Sequence, residues 1–174
     1  MPETPKSGPL HRMIPEGDNR ERMVCRDCGF IDYQNPKVVV GSIVLCQGKF
    51  LLCRRAIEPR RGFWTMPAGY LELNESTPDG AMREAWEEAL ARITIDGLLA
   101  IYDVPRLSQV QIIYRAHLDE PEFGVGEESL EVRLFAWEEI PWDELAFPSV
   151  HWALHQFRDA TASGDFAARM NSPG

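Results

Sequence analysis

The sequence has no long hydrophobic run. Its longest apolar stretch, Val38 to Cys46, is interrupted by Gly41 and Ser42 and falls well short of the ~20 residues that cross a bilayer. The opening Met1-Pro2-Glu3-Thr4-Pro5 lacks the basic and apolar blocks of a secretory leader, so the expected location is the cytoplasm. Positive charge is also short. Lys and Arg number 18 against 27 Asp and Glu, for a net charge of −9. That balance argues against a nucleic-acid polymer as partner, because such surfaces need a basic stripe. It leaves small phosphate ligands open, since a bound divalent cation inverts the local charge. Cysteine is scarce, with 4 in the chain, and in a reducing compartment these are thiols or metal ligands rather than a disulfide framework. There is no internal repeat.

What is present suits a folded domain. The chain has 174 residues, 44% hydrophobic and 26% charged, enough to bury a sizeable core. Residues 1–10 carry three prolines and a glycine and read as a tail. Val38 to Leu45 reads as a buried strand, Gln47-Gly48-Lys49 as a hairpin turn and Phe50 to Cys53 as the returning strand. Trp64 to Leu73 reads as irregular, broken by Pro67 and Gly69. Thr77-Pro78-Asp79 reads as a helix start, with the helix running to about Ala91. Strands are expected near Thr94 to Tyr102, Gln109 to His117 and Val132 to Trp137, and a last amphipathic helix over Val150 to Thr161. This alternation predicts an α/β fold with a mixed sheet between helices.

The chemistry concentrates in Gly69 to Ala91. On a wheel of about 100° per residue, Met82, Ala85, Trp86, Ala89 and Ile93 form an apolar side. Glu84, Glu87 and Glu88 gather opposite. Carboxylates at i, i+3 and i+4 repel by a few tenths of a kcal/mol per pair. Hard oxygen ligands converging on one face suit Mg²⁺ or Mn²⁺. Taken alone, Glu-x-x-Glu-Glu is more often a solvated acidic face.

The residues before it change that balance. Gly69, Glu75, Arg83, Glu84, Ala85, Glu87 and Glu88 stand in the register of the Nudix signature, with Leu90 where the signature has glycine. The run from Ile14-Pro15 through Cys25-x-x-Cys28-Gly29, Tyr33 to Lys37, Trp64 to Tyr70 and Phe147-Pro148-Ser149 resembles a Nudix subgroup. That subgroup includes ADP-ribose and FAD pyrophosphatases with a small N-terminal zinc ribbon.

The resemblance implies a Nudix α/β/α sandwich over 36–174, preceded by a degenerate zinc-ribbon-like segment within 1–35. It implies Glu84, Glu87 and Glu88 as cation ligands, helped by the Ala68 carbonyl, with Arg83 holding their geometry. Glu75 would support that network or a second cation. A general base is expected late in the chain, and Glu128 is the first choice, with Glu131 second; the competing reading makes both surface acids beside Arg133. Tyr70, Tyr102 and Phe147 are candidates to stack on an adenine or flavin ring, with core packing as the alternative for each. Pro105 stands near a proline of ADP-ribose-cleaving relatives, whereas the proline- and tryptophan-rich array of NADH-cleaving relatives is absent.

The cysteines read differently. Cys25 and Cys28 are half of a zinc knuckle, and a structural Zn²⁺ takes four ligands. The upstream stretch around His11 carries no second Cys-x-x-Cys, so no complete zinc site is expected within one chain. A small ribbon, or a site completed across a homodimer, stays open. Cys46 and Cys53 read as core residues.

Three functions follow as rivals. The first is Mg²⁺-dependent hydrolysis of a small nucleotide-derived substrate, ADP-ribose or FAD, giving AMP plus ribose 5-phosphate or FMN, with NADH or another nucleotide as a variant. The second is a nucleotide-sensing Nudix module without catalysis, which has no need of all three glutamates. The third, a nucleic-acid-binding ribbon, conflicts with the acidic balance.

Overall fold

The computed structural model describes residues 8–171. The expected tail over 1–10 therefore lies mostly outside the described residues. The chain divides into two compact units, with the boundary between Pro36 and Lys37.

In the first unit β1 (His11–Met13), β2 (Arg22–Val24) and β3 (Ile31–Asp32) form a three-stranded antiparallel sheet. Cys25 begins the turn between β2 and β3. Its N–H donates to Phe30 O at 2.8 Å, and its carbonyl accepts from Gly29 N at 2.9 Å. Gly29 sits at φ 74°, a backbone conformation that costs glycine little. Backbone N–H groups of Cys28 and Asp27 lower the Cys25 thiol below its ordinary value. Cys25 is buried and Cys28 exposed.

The second unit is a mixed sheet with a helix on each face. Its strands are β4 (Lys37–Cys46), β5 (Lys49–Arg55), β6 (Trp64–Thr65), β7 (Ala68–Tyr70), β8 (Thr94–Val104), β9 (Gln109–His117), β10 (Ser129–Phe135) and β11 (Arg169–Met170). The order is β10-β5-β4-β9-β8-β11, with β6 on β5 and β7 on β4. The pairs β4–β9 and β8–β11 are parallel. The turn Gln47-Gly48 has positive φ at both positions (49° and 77°), as a tight hairpin requires. The helices are α1 (Thr77–Ala89) and α2 (Pro148–Ser163).

Strand alternation assigns the faces. Val44, Cys46, Leu51 and Cys53 pack with Ala85 and Ala89 of α1. Ile43, Phe50, Leu52 and Ile113 pack with Val150, Leu154 and Phe157 of α2. Burying a leucine or phenylalanine in either layer contributes about 1.5–3 kcal/mol. No helix among the described residues is long and apolar enough to cross a membrane.

Four local expectations shift. Ser76, rather than Thr77, caps α1: its Oγ accepts from Asp79 N at 3.3 Å. The helix stops at Ala89, and Leu90 caps it in the left-handed region (φ 48°, ψ 28°). The stretch from Trp64 to Leu73 contains two short strands where an irregular segment was expected, because β4 is long enough to pair β5 at one end and β7 at the other. The apolar side of α1 is also rotated. Gly80, Ala81, Glu84, Ala85, Glu88 and Ala89 are buried, while Trp86 is exposed. Small residues against the sheet bring the helix backbone close, so Glu84 and Glu88 enter the interior and only Glu87 faces solvent.

Candidate active site

The site grows from the pairing of β7 with the first half of β4. Val39 pairs with Tyr70, Val40 with Gly69 and Gly41 with Ala68. A Cβ on Gly41 would collide with the Ala68 side chain, so glycine there lets β7 seat. A Cβ on Gly69 would run into the Glu84 carboxylate, so glycine there gives α1 room to present its acids. The N–H of Ala68 donates to Glu88 Oε2 at 3.3 Å. Sequence reasoning placed Ala68 here for its carbonyl and missed this N–H.

Arg83 organises the acids from one side. Its Nε donates to Glu75 Oε1 at 2.8 Å, and Nη2 donates to Glu75 Oε2 at 3.1 Å and to the Tyr70 carbonyl at 2.9 Å. Nη1 reaches Glu84 Oε1 at 2.7 Å and Glu87 Oε2 at 2.8 Å. One planar guanidinium thus fixes three carboxylates and a strand carbonyl, which a lysine could not do. Glu75 places both oxygens on Arg83 and also accepts from Glu72 N at 3.1 Å.

The electrostatics separate these acids. The Arg83 hydrogen bonds hold Glu75 below the usual carboxylate range. Burial raises Glu84 against the pull of Arg83, with Glu87 and Glu128 adding repulsion. Among the described residues no arginine forms an ion pair with Glu88. Burial, then the Glu84 charge, pushes it up to about 8, against the Ala68 N–H and the Arg55 charge. Among the described residues no group of three or more His, Cys, Asp or Glu side chains is arranged to hold a metal ion as it stands. Arg83 occupies Glu84 and Glu87 instead.

The other candidates divide. Glu128 acts electrostatically on both Glu84 and Glu88, and its carbonyl accepts from Ala56 N at 2.8 Å, which fastens it to the end of β5. Glu131 lies on the outer surface, 3.7 Å from Arg54 and 3.8 Å from Arg133. Tyr70 and Phe147 line a cavity of about 470 Å³ whose wall includes Ala68 and Gly69. Each already carries a cation over its ring: Lys37 Nζ at 4.9 Å on Tyr70 and the Arg55 guanidinium at 5.2 Å on Phe147. Tyr102 is fully buried, its hydroxyl donating to Gln156 Oε1 at 2.7 Å and its ring edge-on to Trp152. A ring with no accessible face cannot stack on a ligand, so Tyr102 is a core residue here.

Sequence reasoning missed Arg55, Gln109 as a cavity residue, and Gln111. All three line the cavity, and Arg55 also acts on Glu88. Their only sequence signal was polarity at the end of one strand and the start of another.

Known proteins bear on this geometry. The family described as NUDIX domain matches residues 35–167, and the one described as Nudix N-terminal, a zinc-ribbon family, matches residues 7–34. A crystal structure of a NUDIX hydrolase from Nitrosomonas europaea superposes with a TM-score of 0.86 at 46% identity, covering 94% of each chain. An ADP-ribose pyrophosphatase of Methanocaldococcus jannaschii is 28% identical over 66% of this chain and 69% of its own length. A MutT-like protein of Streptomyces ambofaciens is 34% identical over 57% of this chain, and the match spans only 60% of that relative.

Proposed function

We infer the reaction from one premise: this chain belongs to the Nudix family of hydrolases. We propose that it cleaves the pyrophosphate bond of a nucleoside diphosphate linked to a second group, with ADP-ribose or FAD as the substrate class. The observation that carries this reading is the cavity of about 470 Å³ that shares β7 with the buried carboxylates Glu84 and Glu88. Its aromatic and amide lining suits a nucleobase and ribose, while the carboxylates meet the phosphates. The M. jannaschii relative bears the name ADP-ribose pyrophosphatase, which favours ADP-ribose.

The family generally uses divalent metal ions. The residues fit one. Glu88 is 4% exposed, has no cationic partner in contact among the described residues, and is raised to about 8 by burial and Glu84. A buried carboxylate pair of this kind is stabilised by a small dication, and Mg²⁺ characteristically takes one or two carboxylates plus water and phosphate oxygens. Glu84, Glu87 and Glu88 would hold it. When bound it would polarise the phosphate and acidify the attacking water.

The chain's own groups do the rest. Arg83 keeps Glu84 and Glu87 in place, with Glu75 bracing the guanidinium. The Ala68 N–H orients Glu88. Glu128 is the general base, taking the proton of the water at a carboxylate oxygen. The water oxygen forms the new P–O bond, the bridging P–O bond breaks, and AMP leaves with ribose 5-phosphate or FMN. Tyr70 and Phe147 hold the base from the open side of each ring. The N-terminal 1–35 is read as a degenerate zinc-ribbon-like segment, and four free thiols suit a reducing compartment, which supports a cytoplasmic location.

The test is a phosphatase-coupled phosphate-release screen with Mg²⁺ on ADP-ribose, FAD, NADH, diadenosine polyphosphates and nucleoside triphosphates, beside Glu87→Gln. Turnover of ADP-ribose or FAD that disappears in the variant is expected. Nucleotide binding with no turnover of any compound would refute the hydrolase reading in favour of a sensor.

A further inference from the structure

The loop 119–128, which carries Glu128, is fastened to the C-terminal end of α1. A helix leaves its last carbonyls without partners inside the helix. At α1 the cap residue Leu90 still donates its N–H to Trp86 O at 2.8 Å. Of the three carbonyls beyond it, Glu88 and Ala89 accept from the loop. Gly124 N–H donates to Ala89 O at 2.7 Å, and Gly126 N–H donates to Glu88 O at 3.1 Å. Val125, between them, is exposed, while Phe123 packs against the layer that α1 covers.

The two glycines differ in what surrounds them. A Cβ on Gly124 would meet Leu90 Cδ1 at 3.1 Å, the far end of a side chain that can turn. A Cβ on Gly126 would overlap the Glu87 carbonyl oxygen and lie 2.7 Å from the Glu87 carbonyl carbon and 2.8 Å from that of Glu88. Those are helix backbone atoms, which cannot turn aside. Glycine at 126 therefore lets the loop rest directly on the backbone of the two residues proposed as cation ligands. From there the path to Glu128 is short and tied down. Gly126 O accepts from Ser129 N–H at 3.1 Å, which closes a turn over Glu127 and Glu128, and Glu128 O accepts from Ala56 N–H at 2.8 Å.

We propose that Gly126 is a positioning residue: by docking the loop on the carbonyl end of α1, it sets the Glu128 carboxylate at a fixed place relative to Glu84, Glu87 and Glu88. The inference rests on the hydrolase reading above, in which Glu128 takes the proton of the attacking water, and it assigns the accuracy of that step to a backbone contact. One helix end then has two tasks. Its side chains serve the cation and the phosphates, and its carbonyls hold the loop that brings the base. A methyl group at 126 has to lift the loop by about 1 Å or more, and a misplacement of that size costs about 100-fold in rate. Tyr70 and Phe147 lie outside the loop, so substrate binding is kept.

The experiment measures kcat and KM, on the nucleotide that the phosphate-release screen finds cleaved, for the wild type, Gly124→Ala, Gly126→Ala, Glu128→Gln and the double variant Gly126→Ala/Glu128→Gln. Amide hydrogen exchange over 119–128 is followed in each. Gly126→Ala should lower kcat about 100-fold, keep KM within about threefold and speed exchange of the loop. Gly124→Ala should cost less, because Leu90 can yield. Added to Glu128→Gln, Gly126→Ala should cost at most about threefold more, since the group it positions is already gone. A packing defect would instead take the same factor from both backgrounds, and that result overturns the proposal. So does faster exchange with kcat unchanged, or a variant in which neither moves. Glu128→Gln at full rate overturns it too, and leaves the hydrolase reading standing. If Gly126→Ala does not fold, Gly124→Ala carries the same comparison on both backgrounds. If the wild type cleaves no nucleotide, the hydrolase reading falls, and exchange decides the docking. Slow exchange at Gly124 and Gly126 in the wild type, lost in Gly126→Ala, supports it, and fast exchange in the wild type overturns it.

Discussion

Replacing Glu88 by glutamine should stabilise the metal-free protein while destroying its function. Glu88 is 4% exposed, and its carboxyl is raised from 4.5 to about 8, first by burial and then by the Glu84 charge. An acid raised in this way binds its proton more tightly when folded than when unfolded. Between pH 4.5 and about 8 the folded state therefore holds more protons, and stability falls as pH rises through that window. At 1.36 kcal/mol per pH unit the interval sets a ceiling of about 5 kcal/mol by pH 9. Relaxation and water entry reduce such penalties, and about 2 kcal/mol is the expected part. Glutamine keeps an oxygen to accept from Ala68 N–H, removes the charge, and brings N–H donors to a place where the Glu84 carboxylate acts. For a chain of 174 residues, 2 kcal/mol is about 4–8 °C in melting temperature. The assay is thermal unfolding followed by circular dichroism in excess chelator, for wild type and Glu88→Gln, from pH 5 to pH 9. The gap should be near zero at pH 5 and widest at pH 9. Adding Mg²⁺ should raise the wild type and leave the variant nearly unmoved, because a ligand stabilises only the state that binds it. A variant that melts below the wild type at pH 9 without metal would refute the reasoning.

Three further outcomes follow from the same geometry. Gly69→Ala pushes a methyl group into the Glu84 carboxylate, so hydrolysis should fall at least ~100-fold; retained activity in steady-state assays would show that α1 can retreat. Glu128→Gln should lower kcat by about 10²–10⁴ with little change in KM, whereas Glu131→Gln, on the outer surface between Arg54 and Arg133, should leave kcat within about twofold; equal effects in rate measurements would remove Glu128 as the base. Leu90→Gly relieves a left-handed backbone at the end of α1 and should gain about 0.5–1 kcal/mol in urea unfolding, after the entropy that glycine adds to the unfolded chain.

The helix, its acids and its register were legible because a helical wheel and a fixed spacing are local properties. Which way the wheel faces was not. Trp86 is the largest apolar residue on α1 and drew the expected core face toward itself, yet it lies exposed with Arg92 over its ring. The sheet selects the small residues Gly80, Ala81, Ala85 and Ala89 because only they allow the helix backbone to come close enough for Glu84 to meet Gly69 and Glu88 to meet Ala68. That preference belongs to β4 and β7, whose pairing was not visible in a stretch punctuated by Pro67 and Gly69.

The same cause hid the cavity. Gln109 and Gln111 are ordinary polar residues in a strand until the parallel β4–β9 register sets Gln111 opposite Val39, whose other neighbour is Tyr70. Tyr70, Gln109 and Gln111 thus meet through three strands that are far apart in sequence. Tyr102 fails as a stacking residue for a related reason: its place in β8 turns the ring into the layer under α2, where Gln156 satisfies its hydroxyl. Glu75, Glu84 and Glu87, which Arg83 draws together, and Glu88, which meets Ala68, lie within one helix and one preceding loop, so sequence spacing found them. The polar residues that line the cavity are assembled by sheet register, and only the folded chain brings them together.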